Sequence, residues 1–441
     1  MDKNELKKIV CESIDAKSIE IIAFGEACEA IPELGYKEHK TSAVIKARLA
    51  EYGVGGLKQM AVTGVTGRIK GRNSSASVMI LGELDAVISP RHPLADPETG
   101  AAHACGHAAQ LAVLAGCAAG INAVRAHLDG DVIFAACPAE EYVQIGERQE
   151  MRAEGKISWL GGKQQMIAEG VFDGADIAMM VHAAAQANDN SDGSRGHVVA
   201  GGSSLGFIGK EIRFTGKEAH AGVAPWHGIN ALNAANLAMQ AINALRETFR
   251  DTDKIRVHPI ITKGGDIVST VPADVRMECF VRAGNLEAMA RTNAAVNRAV
   301  RGAAYALGAE VRIDDIPGYL PLEQNPCICK MFVDNAKQAD RDIITDNVIP
   351  FGGSTDMGDV SWLLPAIHPS INGFTGLLHS ADFSVSDRNL AYILPAKLLA
   401  MTAVDLLADK AEQALMIKSK YPRKTKEQYA AAWDKILKSG G

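Results

Sequence analysis

Residues Ser77–Val87 read SVMILGELDAV, an apolar run that ends on two acids, Glu83 and Asp85. Two later stretches share this form: DVIFAAC (131–137), followed by Pro138, Ala139, Glu140 and Glu141, and ADIAMMV (175–181), followed by His182. Strands that are nearly continuous in hydrophobics, rather than alternating, are buried on both faces, as in a sheet with parallel pairings covered by helices. Helices are expected from about Asp2 to Ala30, from about Ser42 to Tyr52 and from His107 to His127. This pattern predicts an α/β fold whose large domain has a mixed, mainly parallel sheet flanked by helices.

From about Ser204 to Asp315 the order changes. It reads strand (Leu205 to Phe214), helix (Gly228 to Phe249), strand (Arg256 to Thr262), strand (Val275 to Arg282), helix (Leu286 to Leu307) and strand (Glu310 to Ile313). That is the βαββαβ order of a ferredoxin-like α+β domain. Leu232, Leu237, Met239, Ile242 and Leu245 recur at helical spacing and are read as its packing face. From about Pro317 the chain returns to the first domain, with a helix near Lys330 to Asp340, the Gly-rich loop FGGSTDMGD (351–359) and a helix near Pro395 to Ala408. The expected domains are therefore 1–203 and 317–441, interrupted by an insert at 204–316. The Lys-rich end, KSKYPRKTKEQYAAAWDKILK, is read as a solvated amphipathic helix packed by Trp433 and Ile436.

A chain of 441 residues, about half of them hydrophobic, can bury two cores. Its formal charge of −6 is dispersed, which points to a small-molecule partner and away from nucleic acid or an anionic membrane. Met1 leads into the charged stretch DKNELKK and no segment approaches 18 consecutive apolar residues, so a soluble, cytoplasmic protein is expected. The 8 cysteines are scattered without the spacing of a disulfide scaffold or of paired zinc knuckles.

Ligands of open α/β sheets bind beyond the carboxyl ends of the strands, where this chain places Asp85, Glu140, Glu141 and His182. Between the first two ends lies HACGH, with Cys105 and His107 on either side of Gly106. Thiolate and imidazole both suit a borderline divalent ion, although a buried core cysteine and a helix-start histidine fit the same letters. Neighbouring carboxylates such as Glu140 and Glu141 repel unless a cation stands near. With a metal present, one can bind it while the other handles protons. His379, in GLLHSADF, gains weight only from this company.

HACGH, PAEE, VHA, GKEAHAG with PWHGINAL after it, and LHSADF together resemble the M20 metallopeptidase and amidohydrolase family, in order and approximate spacing. IPELGYKEHKTSAVIKARLAEYG extends the likeness, which runs from about residue 20 to 410. It is to the branch with a cysteine in the metal site. Within that branch GGKQQMIAEGVFDGADIAMMVHA, APWHGINAL and STDMGDVSW are similar to the M20-domain-containing protein 2 and aminobenzoyl-glutamate hydrolase group.

The resemblance implies hydrolysis of an amide bond in a small N-acyl amino acid or dipeptide. It implies two divalent metal ions, zinc or manganese first and cobalt or nickel as alternatives, held by Cys105, His107, Glu141, His182 and His379. Glu140 would be the general base, and Asp85 would orient a ligand histidine. Glu83 stands where related aminoacylases carry a ligand histidine. In the insert, His220 matches a lid histidine that polarises the scissile carbonyl in the partner subunit, so a lid and dimerisation domain and a homodimer are implied. Arg282 resembles the residue that holds the substrate carboxylate, and Gly352, Gly353, Ser354 and Thr355 could add donors.

The chain also departs from the family pattern. Ala108 stands where Asp or Asn usually follows HACGH, and Ser269 and Thr270 replace an Asn-Val pair. Glu147, Arg148 and Glu150 add charge after PAEE for which the sequence offers no account. Two other classes use some of the same residues: a cysteine hydrolase with Cys105 as nucleophile, and a non-catalytic binding protein on the same fold.

Overall fold

The computed structural model describes residues 1–184, 198–340, 343, 345–347 and 352–438. The described residues form two compact units, each spanning discontinuous stretches. The first takes those of Met1–Gly202, Glu323–Pro350 and Asp359–Lys426, and the second those of Ser203–Leu322, Phe351–Gly358 and Glu427–Gly441.

The first unit is built on a six-stranded sheet. Its spatial order is Gly55–Met60, Gly64–Ile69, Gly130–Cys137, Ala76–Glu83, Ile177–Met179 and Ala366–Ile367. Gly64–Ile69 alone runs opposite in direction to the other five. The two central strands, Ala76–Glu83 and Gly130–Cys137, are buried along their whole length, as their unbroken apolar sequences require. They pair in parallel, with Val78 opposite Val132 and Glu83 opposite Cys137. Their carboxyl ends, and the acids beyond them, therefore lie side by side.

Helix His107–Val124 buries nearly every residue, and helix Leu394–Leu407 packs against it. Both belong to stretches as long and apolar as a membrane span, but those windows are 89% and 78% buried inside the fold. They are core helices.

The first expected helix is in fact two, Lys3–Ala16 and Ser18–Glu29. Lys17, at φ −110° and ψ 10°, leaves helical geometry between them, and no glycine or proline signals the break. The outer hairpin, Gly55–Met60 with Gly64–Ile69, was not expected from the sequence. Its strands are Gly-rich, and its turn puts Ala61 and Val62 at positive φ (47° and 71°), a conformation that Asn-Gly usually announces. Among the described cysteines no disulfide forms, and Cys28, Cys105, Cys117, Cys137, Cys279 and Cys329 are buried.

The second unit carries an antiparallel sheet ordered Arg256–Lys263, Asp274–Ala283, Gly206–Thr215, Glu310–Pro317. Helices Ala231–Leu245 and Leu286–Ala306 pack together with it, each started by an asparagine cap, Asn230 or Asn285. This is the ferredoxin-like order that the sequence predicts. The packing stripe of the first helix differs, however. It is made by Ala231, Ala234, Ala235, Ala238 and Ile242, while Leu237 is exposed and Leu232, Met239 and Leu245 are half-buried. Small residues let the helix lie close, and the larger ones flank the contact. The C-terminal helix Lys426–Lys438 buries Tyr429, Trp433 and Ile436, the arrangement expected of it.

Candidate active site

Three neighbouring strands of the parallel sheet deliver the site. Ala76–Glu83 ends on Glu83 with Asp85 just beyond, Gly130–Cys137 runs into Glu140 and Glu141, and Ile177–Met179 leads to His182. Gly106 has φ +84°, and a Cβ there would stand 2.6 Å from that of Ala183. Only glycine fits between Cys105 and His107 at that turn. His379 also has positive φ (66°), and its N–H donates to the Ala104 carbonyl at 2.7 Å, which brings a remote loop onto the HACGH turn.

Three overlapping groups result, each with donor atoms within 4.8 Å of one another: Cys105, His107 and His182; Cys105, Glu141 and His379; and Glu83, His107 and Glu140. Cys105 Sγ lies 3.5 Å from His182 Nε2 and 3.3 Å from His379 Nε2. Glu141 Oε1 is 3.1 Å from His379 Nε2 and 4.0 Å from His107 Nε2. Cys105, His107, Glu140 and Glu141 are buried, His182 is half-buried, and His379 is exposed, so the cluster is open on the His379 side.

Hydrogen bonds behind these groups settle their tautomers. His107 Nδ1 faces the Asp85 carbonyl oxygen at 2.8 Å and its Oδ1 at 3.3 Å, and His182 Nδ1 faces the Ala183 carbonyl at 2.9 Å. Each Nδ1 must donate there, so Nε2 is the nitrogen directed into the cluster, able to bind an ion that displaces any proton on it. Asp85 Oδ2 also accepts the Glu141 N–H at 2.8 Å.

His107 Nε2 stands 3.1 Å from Glu83 Oε2, yet, although buried, it makes no hydrogen bond there. A buried cluster of thiol, imidazole and carboxylate groups with these atoms facing one another fits divalent cations.

The charges agree with that fit. Burial disfavours charge on His107, but Glu83, Cys105 and Asp85 outweigh it and hold the ring proton well above the usual histidine range. Burial, then the nearby His107, lower His182, whereas the Glu141 hydrogen bond raises His379. Burial, then the Glu141 charge, push the Cys105 thiol well up, the opposite of what an activated cysteine nucleophile needs. Burial works against the Glu83 carboxylate, but Lys163 and His107 keep it well below the ordinary range, and His107 does the same for Asp85.

Residues 79–393 match the profile of peptidase family M20/M25/M40. The chain belongs to that family. A mouse Xaa-Arg dipeptidase is 28% identical over 91% of this chain and 89% of its own length. An N-acyl-L-amino acid amidohydrolase from Geobacillus stearothermophilus is 25% identical over 73% of this chain and 81% of its own. Among solved structures, a dinuclear metal-binding M20 peptidase from Bacillus subtilis superposes with a TM-score of 0.66 at 22% identity, covering 89% of this chain and 99% of that one. As a member of the M20 family, the chain is a hydrolase acting on C–N bonds.

The residues singled out in the insert and in the Gly-rich loop of this M20 chain lie in the second unit. His220 is exposed, and its Nδ1 accepts from the N–H groups of Gly222 (3.2 Å) and Val223 (3.1 Å), which puts the ring hydrogen on Nε2. It bridges Thr270, and Ala221 N–H donates to the Ser269 carbonyl, so the two departures from the family pattern flank this histidine through backbone contacts.

Arg282 Nη1 donates to Ser354 Oγ at 2.5 Å, and its guanidinium lies over the rings of Phe207 and Phe280. The Gly353 carbonyl accepts from Leu205 N–H, and Thr355 Oγ1 accepts from Met357 N–H. Gly352 stands beside them, while Phe351, at the head of that loop, lies outside the described residues. Ala108 is buried in the first turn of its helix.

Sequence reasoning missed the supports behind the cluster. Lys163 Nζ is 2.5 Å from Glu83 Oε1, both fully buried, and Gln110 holds the other side of Glu83 through its Oε1 and Nε2. The Glu38 carboxylate accepts the Ala139 N–H at 2.7 Å. Lys163 follows a Gly-Gly pair and Glu38 sits in a charged helix-start stretch, so both read locally as surface.

Proposed function

We propose that this chain hydrolyses the amide bond of a small dipeptide or N-acyl amino acid with the help of two divalent ions held by Cys105, His107, Glu141, His182 and His379. The observation that carries this is the convergence of those donors around His107 Nε2, which is buried and without a hydrogen bond. When bound, the ions would lower the pKa of water at the site and polarise the scissile carbonyl.

Glu140, next to Glu141 and grouped with His107, takes the proton from the attacking water as its oxygen bonds to the carbonyl carbon. It returns that proton to the amine nitrogen as the C–N bond breaks, giving a free amine and a carboxylic acid, whose own proton then passes to the amine or to solvent. Asp85 fixes the ring of His107, and Lys163 compensates the charge of Glu83. His220, with its hydrogen on Nε2, is suited to donate to the oxyanion developing in a partner subunit. Arg282, desolvated over two aromatic rings, is suited to a substrate carboxylate. The similarity to an Xaa-Arg dipeptidase and an N-acyl amino acid amidohydrolase supports this substrate class.

In the second unit, edge strand Arg256–Lys263 exposes Ile260 and Ile261, an apolar edge suited to pairing two chains as a homodimer. The deciding experiment measures metal per chain in gently purified protein, and hydrolysis of a panel of dipeptides and N-acyl amino acids before and after chelation. About two ions with chelator-sensitive turnover support the proposal. Protein that binds no metal on reconstitution, or whose activity survives chelation and dies on thiol alkylation, overturns it.

A further inference from the structure

Arg148 is the one buried residue of helix Ile145–Ala153, which follows Glu140 and Glu141. A short helix that leaves its other residues, Ile145 and Met151 included, exposed or half-buried and buries its arginine reverses the usual arrangement. Among the described residues no carboxylate forms an ion pair with Arg148, while its neighbour Glu147 pairs with Lys37 at the surface. Its guanidinium is spent on backbone carbonyls instead. Nη2 donates to Glu141 O at 2.7 Å, and Nη1 donates to Leu160 O at 3.0 Å, with Ala139 O at 3.5 Å. The ring of Tyr36 lies 5.4 Å from the guanidinium carbon, and the Tyr36 hydroxyl donates to Trp159 O.

Ala139, just before Glu140, has φ +50°, which an alanine adopts only when its surroundings impose it. Glu38 takes its N–H, while Gly162 N–H donates to its carbonyl at 3.1 Å. Gly35 leaves the room required, since a Cβ there would lie 2.3 Å from Arg148 Nη2 and 2.7 Å from Ala139 Cα.

We propose that Arg148 is a positioning residue whose buried guanidinium ties the carbonyls of Ala139, Glu141 and Leu160 together, fixing the turn that presents Glu140 and Glu141. The planar fork matters, because an ammonium cannot reach diverging carbonyls from one plane. This rests on the proposed roles of Glu140 and Glu141.

The test compares the full chain with Arg148→Lys and Arg148→Gly. It records thermal midpoints, binding of cobalt(II) alone, and kcat and KM for a dipeptide that the parent hydrolyses. Both variants are expected to stay folded and to lose kcat by roughly 10- to 100-fold, as for other residues that orient metal ligands, with KM within about two-fold. Cobalt binding is expected to weaken at one of two sites, and millimolar guanidinium to restore part of the loss in Arg148→Gly alone.

Unchanged kcat and cobalt binding overturn the proposal, as does loss of the fold in both variants, or a loss in Arg148→Gly that guanidinium leaves untouched. A parent protein that takes up no cobalt fails the proposed function itself, and this inference with it. Normal cobalt uptake by the parent with unaffected variants fails this inference alone.

Discussion

His379 Nε2 lies 3.3 Å from Cys105 Sγ although 274 positions separate the two residues. The approach is imposed by backbone: the His379 N–H bonds to the carbonyl of Ala104, and both His379 and Gly106 have positive φ. Cys105 belongs to two of the donor groups, whereas His379 belongs to one. Cys105→Ala is therefore expected to reduce bound metal from about two ions toward none, and His379→Ala to about one, since a dinuclear site divides its ligands between its ions. Elemental analysis after dialysis against buffered zinc checks this. Equal losses in the two variants would remove the shared role of Cys105.

Glu140 and Glu141 are adjacent and both buried, yet they face different partners. Glu141 closes on His379 and Cys105, and its backbone N–H is held by Asp85. Glu140→Gln is expected to keep metal while kcat falls by ~10²–10⁴-fold, the usual scale of a lost general base. Glu141→Ala is expected to lose metal first and activity with it. Metal titration and steady-state kinetics on both variants separate the roles, and matching metal content with near-normal rates in both would refute them.

The strand-end groups were legible in the sequence because an apolar run that stops on an ionisable residue marks a carboxyl end of a buried strand, as at Glu83, Asp85, Glu140 and His182. His379 has no such local mark. It became readable only through family resemblance, because what places it is one long-range backbone hydrogen bond. Lys163, Glu38 and Arg148 are charged residues in charged or Gly-rich surroundings, and nothing local tells a buried counter-ion from a surface charge. The hairpin at Ala61 and Val62 and the break at Lys17 were hidden for a related reason. Tertiary contact stabilises backbone that those residues do not favour alone, as where Glu169 accepts the Ala61 N–H.

Lys163 and Glu83 form an ion pair with both side chains fully buried. Removing one partner strands a charge in a medium that solvates it poorly. Lys163→Met should therefore destabilise the protein by about 3–5 kcal/mol, the usual cost of breaking a buried pair. Replacing both groups by neutral ones, as in Lys163→Met with Glu83→Gln, should recover most of that loss. Urea unfolding midpoints of the two variants and the parent decide it, and a double variant no more stable than the single one would contradict the pairing.

Glu38 is fully buried, where it accepts the Ala139 N–H and the Thr63 hydroxyl hydrogen. Burial first, and the nearby Asp85 charge second, raise its pKa from 4.5 to about 8. The folded protein thus holds this proton more tightly than the unfolded chain does. Its contribution to stability is complete below pH 4.5 and is lost as the pH rises through about 8. Glu38→Gln copies the protonated side chain and has no proton to release. The variant should match the parent near pH 5 and exceed it in thermal midpoint at pH 9, with both proteins carrying the same metal content. Melting curves that stay parallel between those two pH values would show that Glu38 is already ionised in the fold.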